Sequence, residues 1–157
     1  MIINNMEFTE ADSLPGGKKD EEKLVLLFTA LGFIVKIHQN LTGKEIVDTV
    51  KSYGAMHHSG AFFLIILSHG TSMDNKPAVA GTDCEAVVVQ DLESFFYASN
   101  CNSLSGKPKI FLIDACRGSQ EEKTFNPIST SDMPTKESST KSLRRLRRLR
   151  HPDSTAT

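Results

Sequence analysis

The stretch Ala61-Phe62-Phe63-Leu64-Ile65-Ile66-Leu67 is apolar at every position. A strand with one face in water alternates polar and apolar side chains. A strand without a polar face has to be covered on both sides, which is the situation of a central strand in a parallel sheet. Seven residues suit a strand and fall short of an ordinary buried helix. Lys109 to Ile113 reads as a second buried strand. Helical patterns precede and separate the two runs. The chain is therefore expected to be α/β, with a mostly parallel sheet and helices on both faces. Its 157 residues suffice for one domain with a real core.

The remaining elements follow from local signals. Ile2-Ile3 reads as the stub of a first strand, and residues 9–19, with Pro15-Gly16-Gly17, as a loop. Asp20 to Leu31 is expected to be a helix. Leu24, Leu27, Phe28 and Leu31 recur at i, i+3, i+4 and i+7, and Asp20, Glu21 and Glu22 sit at the positive end of its dipole. Gly32 ends it, and Phe33 to Ile37 is expected to be a short strand. Thr42-Gly43-Lys44-Glu45 has the form of a capping box and opens a helix to about Tyr53. Gly70 to Glu85 reads as an irregular loop with room for a short hairpin. Asp91 is expected to cap a helix through Phe95, Phe96 and Tyr97, with a turn over residues 100–106. From Ser119 onward the pattern dissolves. Thirteen of 39 residues are Ser or Thr and Phe125 is the only aromatic, so this part is expected to be a flexible tail.

Composition excludes several classes. A net charge of -1 gives no overall attraction to nucleic acid or anionic membrane, and no apolar run approaches a membrane span. Met1 to Asn5 lacks the basic start and apolar stretch of a secretory signal. Cys84, Cys101 and Cys116 are an odd number without tight pairing, which favours reduced thiols in a cytoplasmic or nuclear setting. Cys84 and Cys101 have no metal-ligand spacing and are expected to pack, as His57-His58 is expected to serve a loop. No metal or other cofactor is expected.

Working residues in such sheets sit just past the carboxyl ends of the strands. His69 follows the first apolar run and Cys116 the second, so the two pair on topology alone. A cysteine peptidase needs a thiolate, an imidazole that takes the thiol proton and returns it to the leaving amine, and donors for the oxyanion. Backbone N–H groups at Gly70 and Cys116 are the candidate oxyanion donors.

The local motifs are more specific. Leu67-Ser68-His69-Gly70 resembles the histidine signature of the caspase family. Asp114-Ala115-Cys116-Arg117-Gly118 is one substitution from that family's Gln-Ala-Cys-Arg-Gly pentapeptide. The spacing of about fifty residues between His and Cys fits as well. Ile2-Ile3-Asn4-Asn5 resembles the family's first strand, and Gly106-Lys107-Pro108-Lys109 its entry to the nucleophile strand. The similarity covers residues 1 to about 120. It implies a caspase-like three-layer sandwich that lacks the small-subunit strands, followed by a flexible Ser/Thr-rich and basic tail over 121–157. It also implies cleavage of protein substrates, usually after aspartate, in cell death or inflammation.

Three departures from the family pattern matter. Ser13-Leu14-Pro15-Gly16 carries Leu14 where the family holds the substrate aspartate with arginine. Asp114 replaces the pocket glutamine. Nothing after Ser119 resembles the small subunit, which supplies a further arginine. A substrate carboxylate beside Leu14 and Asp114 would be poorly compensated and repelled. Metacaspases and paracaspases, which are distantly similar, carry aspartate at the Asp114 position and cleave after basic residues. Two readings follow: a large subunit that becomes active with a small subunit or another caspase chain, or a caspase-like decoy that binds true caspases. No adaptor-recruiting segment is expected ahead of residue 1, so direct recruitment to a death-receptor platform is not expected. Leu143 to Arg150, with five arginines in eight residues, reads as a solvated basic tail, a nuclear signal, or a lipid or RNA contact.

Overall fold

The computed structural model describes residues 1–115 and 126–127. The elements run β1 (Ile2–Asn4), α1 (Gly17–Ala30), β2 (Ile37–Gln39), α2 (Gly43–Gly54), β3 (Phe62–Leu67), β4 (Gly70–Met73), β5 (Lys76–Ala80), β6 (Glu85–Val88), α3 (Val89–Ser94), a 3-10 turn over Asn102–Leu104, β7 (Lys109–Asp114) and β8 (Asn126–Pro127). The first sheet has the order β2-β1-β3-β7, all parallel. Helix α1 packs on one face, with α2 and α3 on the other, which gives the expected three-layer α/β sandwich.

The two-sided apolar run behaves as its composition dictates. Leu64 and Ile66 enter a core with Ile3, Ile46, Val50 and Phe96. Ile65 and Leu67 point the other way, into a smaller cluster with Ile2 and Phe28. Phe33 and Phe63 close that cluster edge-to-face, with ring centroids 5.1 Å apart. Helix α2 begins as predicted, since Thr42 and Glu45 form the reciprocal capping box.

Several local expectations are corrected. Helix α1 starts at Gly17 rather than Asp20. A side chain at residue 17 would bring its Cβ to 2.7 Å from Asn4 Oδ1, so glycine lets the helix begin tight against β1. The predicted apolar stripe is not what the helix buries. Phe28 is buried, but Leu27 and Leu31 are 53% and 61% exposed, and Glu21 occupies the inner face at 3%. Strand β2 lies at 37–39 instead of 33–37, because Phe33 and Val35 pack against the Phe28 cluster while Ile37, His38 and Gln39 pair with β1.

Residues 70–85, expected to be an irregular loop with room for a short hairpin, form that hairpin as β4-β5 and extend it through β6 into an antiparallel meander. Asp74 and Asn75, at φ +51° and +59°, make the two-residue left-handed turn that matches strand twist. Asp91 lies in the first turn of α3 and does not cap it; Val88 holds the cap position without a side-chain bond. Asn126–Pro127 pairs in parallel with Glu85–Ala86. The rest of the predicted tail, including Leu143 to Arg150, lies outside the described residues.

Candidate active site

Strands β3 and β7 pair along their full length, so Leu67 stands opposite Asp114. The main-chain N–H of Ser68 then donates to Asp114 O at 3.2 Å. This carries the carboxyl ends of the two paired strands forward together. His69 lies one residue beyond this bond, at the mouth of the sheet. Its main chain is fixed from the other side as well, since Ala80 N–H donates to His69 O at 2.9 Å and Ser68 Oγ–H to Ala80 O at 2.7 Å.

The imidazole of His69 is half-buried and held by the loop after β1. Its Nε2 lies 2.7 Å from the carbonyl oxygen of Asp12. A carbonyl can only accept, so Nε2 carries the proton. In the neutral ring the lone pair is then on Nδ1, which is the nitrogen left to act as a base. The ring of Phe8 packs at 4.6 Å between centroids, tilted by 54°.

The same loop brings in Leu14. The loop is pinched where Leu14 N–H donates to Met6 O at 2.8 Å, and Leu14 is half-buried two residues past Asp12. Gly70 opens β4 directly after His69. Asp114 is exposed at the end of β7, on the same sheet face as Leu67. The structure therefore gathers His69, Gly70, Leu14 and Asp114 at one end of the sheet. Cys116 and Gly118 lie outside the described residues. Sequence reasoning missed the Asp12 carbonyl and Phe8. A main-chain acceptor has no residue signature, so only Phe8 was open to detection.

A second polar group lies behind this end of the sheet. Glu21 accepts from Asn4 Nδ2 at 2.9 Å, from Gln39 Nε2 at 2.8 Å to both oxygens, and from Lys18 Nζ at 3.0 Å. Burial pushes its carboxyl up, but the bonds from Gln39, Asn4 and Lys18, with the Lys18 charge, hold it below the ordinary value of 4.5. His38, on the other face, is pushed down by burial and by the chain-terminal amine.

Comparison with known proteins matches the chain to a family. The caspase domain model matches residues 1–153, and the chain belongs to the caspase family. Caspase b of Danio rerio is 35% identical over 124 residues, 76% of this chain and 31% of the relative. Caspase-9 of Homo sapiens is 36% identical over 139 residues, covering 83% of this chain and 33% of the relative. Caspase-3 of Mesocricetus auratus is 37% identical over 125 residues, covering 76% and 43%. The chain thus spans less than half the length of these relatives. Among the described residues, no helix is long and apolar enough to cross a membrane.

Proposed function

We propose that this chain is the large, catalytic part of a caspase-type cysteine endopeptidase, acting in apoptosis or related signalling in the cytoplasm and completed by a small-subunit partner. The observation that carries the proposal is the hydrogen bond from His69 Nε2 to Asp12 O, which leaves Nδ1 as the free base at the carboxyl end of β3. In the proposed reaction, Nδ1 takes the proton of the Cys116 thiol. The thiolate attacks the scissile carbonyl carbon, and backbone N–H groups of Gly70 and Cys116 receive the oxyanion. The tetrahedral adduct collapses as the imidazolium protonates the leaving amine. Water then attacks the thioester with His69 as base and releases the new carboxyl end.

The sheet supports the need for a partner. Strand β7 is the last strand of its sheet among the described residues. Leu112 is level with Ile65, on the face that α1 covers, yet it is 43% exposed. Leu27 and Leu31 on α1 are exposed too. An unpaired edge beside bare apolar side chains is a template for association. A caspase-type small subunit that adds strands to β7 and covers this face is the proposed occupant.

The decoy reading rests on Leu14 and Asp114. Both stand at the proposed pocket, and neither compensates a substrate carboxylate. One experiment separates the readings. The chain is mixed with caspase small subunits and treated with irreversible thiol-reactive peptides that carry Asp, Arg or Lys before the reactive group. Labelling that disappears in Cys116→Ala and in His69→Ala supports the protease. Stable association without labelling by any peptide supports the decoy.

A further inference from the structure

We infer that Asn40 and Phe8 are positioning residues for the His69 imidazole. The inference rests on the reading of His69 as the catalytic base. Asn40 lies just past β2, across β1 from His69, and has a left-handed backbone at φ +52°. Its own N–H continues the sheet by donating to Asn4 O at 3.1 Å. Its side chain does something separate. Asn40 Oδ1 accepts from two consecutive main-chain N–H groups, Met6 at 2.9 Å and Glu7 at 3.2 Å.

Those two residues begin the loop that holds the imidazole. Met6 O receives Leu14 N–H, which closes the loop on itself. Thr9 is tied outward, through its N–H at 2.9 Å and its hydroxyl at 3.2 Å, to Thr82 O in the meander. Phe8 lies between the Asn40 and Thr82 anchors and presents its ring to His69; Asp12 follows and presents its carbonyl to Nε2. The imidazole has two contacts on this loop, the Phe8 ring and the Asp12 carbonyl. Asn40 is the residue that fixes where the loop leaves the sheet.

A loop of this length without regular structure keeps its shape only through such ties. Neutral side-chain bonds of this kind and an aromatic contact each contribute an amount that corresponds to roughly a fivefold change in an opening equilibrium. Asparagine suits the position for two reasons: it tolerates the left-handed backbone, and it supplies a short acceptor.

The test reads the ring itself rather than cleavage. The purified chain is treated with diethylpyrocarbonate, and modification of each histidine is followed by peptide mass spectrometry. The exposed His57 serves as the internal reference. Asn40→Gly keeps the backbone conformation and deletes the acceptor; Asn40→Asp keeps both; Phe8→Leu keeps bulk and deletes the ring. Circular dichroism confirms that each variant is folded. The expected result is a rise of about fivefold in the His69-to-His57 rate ratio for Asn40→Gly and for Phe8→Leu, with the wild-type ratio kept in Asn40→Asp. An unchanged ratio in folded Asn40→Gly or folded Phe8→Leu overturns the assignment of that residue. If Asn40→Gly does not fold, a raised ratio in Asn40→Asp overturns its assignment and a wild-type ratio supports it. Absence of probe labelling in the presence of a small subunit, with normal His69 protection, would count against the protease reading alone.

Discussion

Replacing Glu21 with glutamine tests whether a buried charge organises α1. The substitution keeps the shape and changes the chemistry. The wild-type carboxylate accepts donors from Gln39, Asn4 and Lys18, and glutamine would turn one acceptor end into a donor facing them. Bonds to a buried charged group are worth about 1.5–3 kcal/mol each, and a donor left without an acceptor costs about 1–3 kcal/mol. The Lys18 pair adds less, because Lys18 is largely exposed. Glu21→Gln is expected to lose about 2–3 kcal/mol at pH 7, or ~8–12 °C in midpoint. The folded-state carboxyl ionises below its ordinary value of 4.5. Its stabilisation is therefore complete above that value and is lost as pH falls through the lowered one. The difference between wild type and variant should accordingly be constant near neutrality and shrink in acid. Urea titrations followed by circular dichroism at several pH values measure it. Equal stabilities at pH 7, or a difference that persists unchanged in acid, would refute the reasoning.

Further outcomes are expected. Thr42→Ala removes the capping box of α2 and should cost about 1 kcal/mol, read by thermal melting. Gly81→Ala should cost about 3 kcal/mol or prevent folding, because its Cβ would meet Gly43 N, Asp83 Oδ1 and Thr42 C, all held in place by the start of α2. Leu112→Lys should abolish self-association or small-subunit binding while leaving the fold intact, with light scattering as the measurement; undiminished association would place the interface elsewhere. The chain alone should not turn over Asp-containing peptides. With a small subunit present, Leu14→Arg combined with Asp114→Gln should raise labelling by an Asp probe, and no gain would remove those two positions from the substrate pocket.

The architecture was legible because its signals are local. An apolar run without a polar face demands cover on both sides, and with helical patterns alternating along the chain this called for a parallel sheet with two helical layers. The capping box at Thr42 and Glu45 was visible because both partners lie within one turn. The placement of His69 past β3 followed from the end of the apolar run. Tertiary structure decided what depends on distant partners. Glu21 read as one of three acids at a helix start, yet it alone turned inward, because Asn4 and Gln39 waited on the neighbouring strands with donors. Leu27 and Leu31 had the spacing of a core face, but α1 rotated to bury Phe28 and Glu21, which left the two leucines on an uncovered flank. For residues 70–85 the sequence suggested no more than a short hairpin in an irregular loop, because the Asp74-Asn75 turn forms only when Met73 and Lys76 pair across it. The tautomer of His69 was fixed by a main-chain carbonyl 57 residues away in sequence, an acceptor that every residue possesses and only the fold could bring within 2.7 Å.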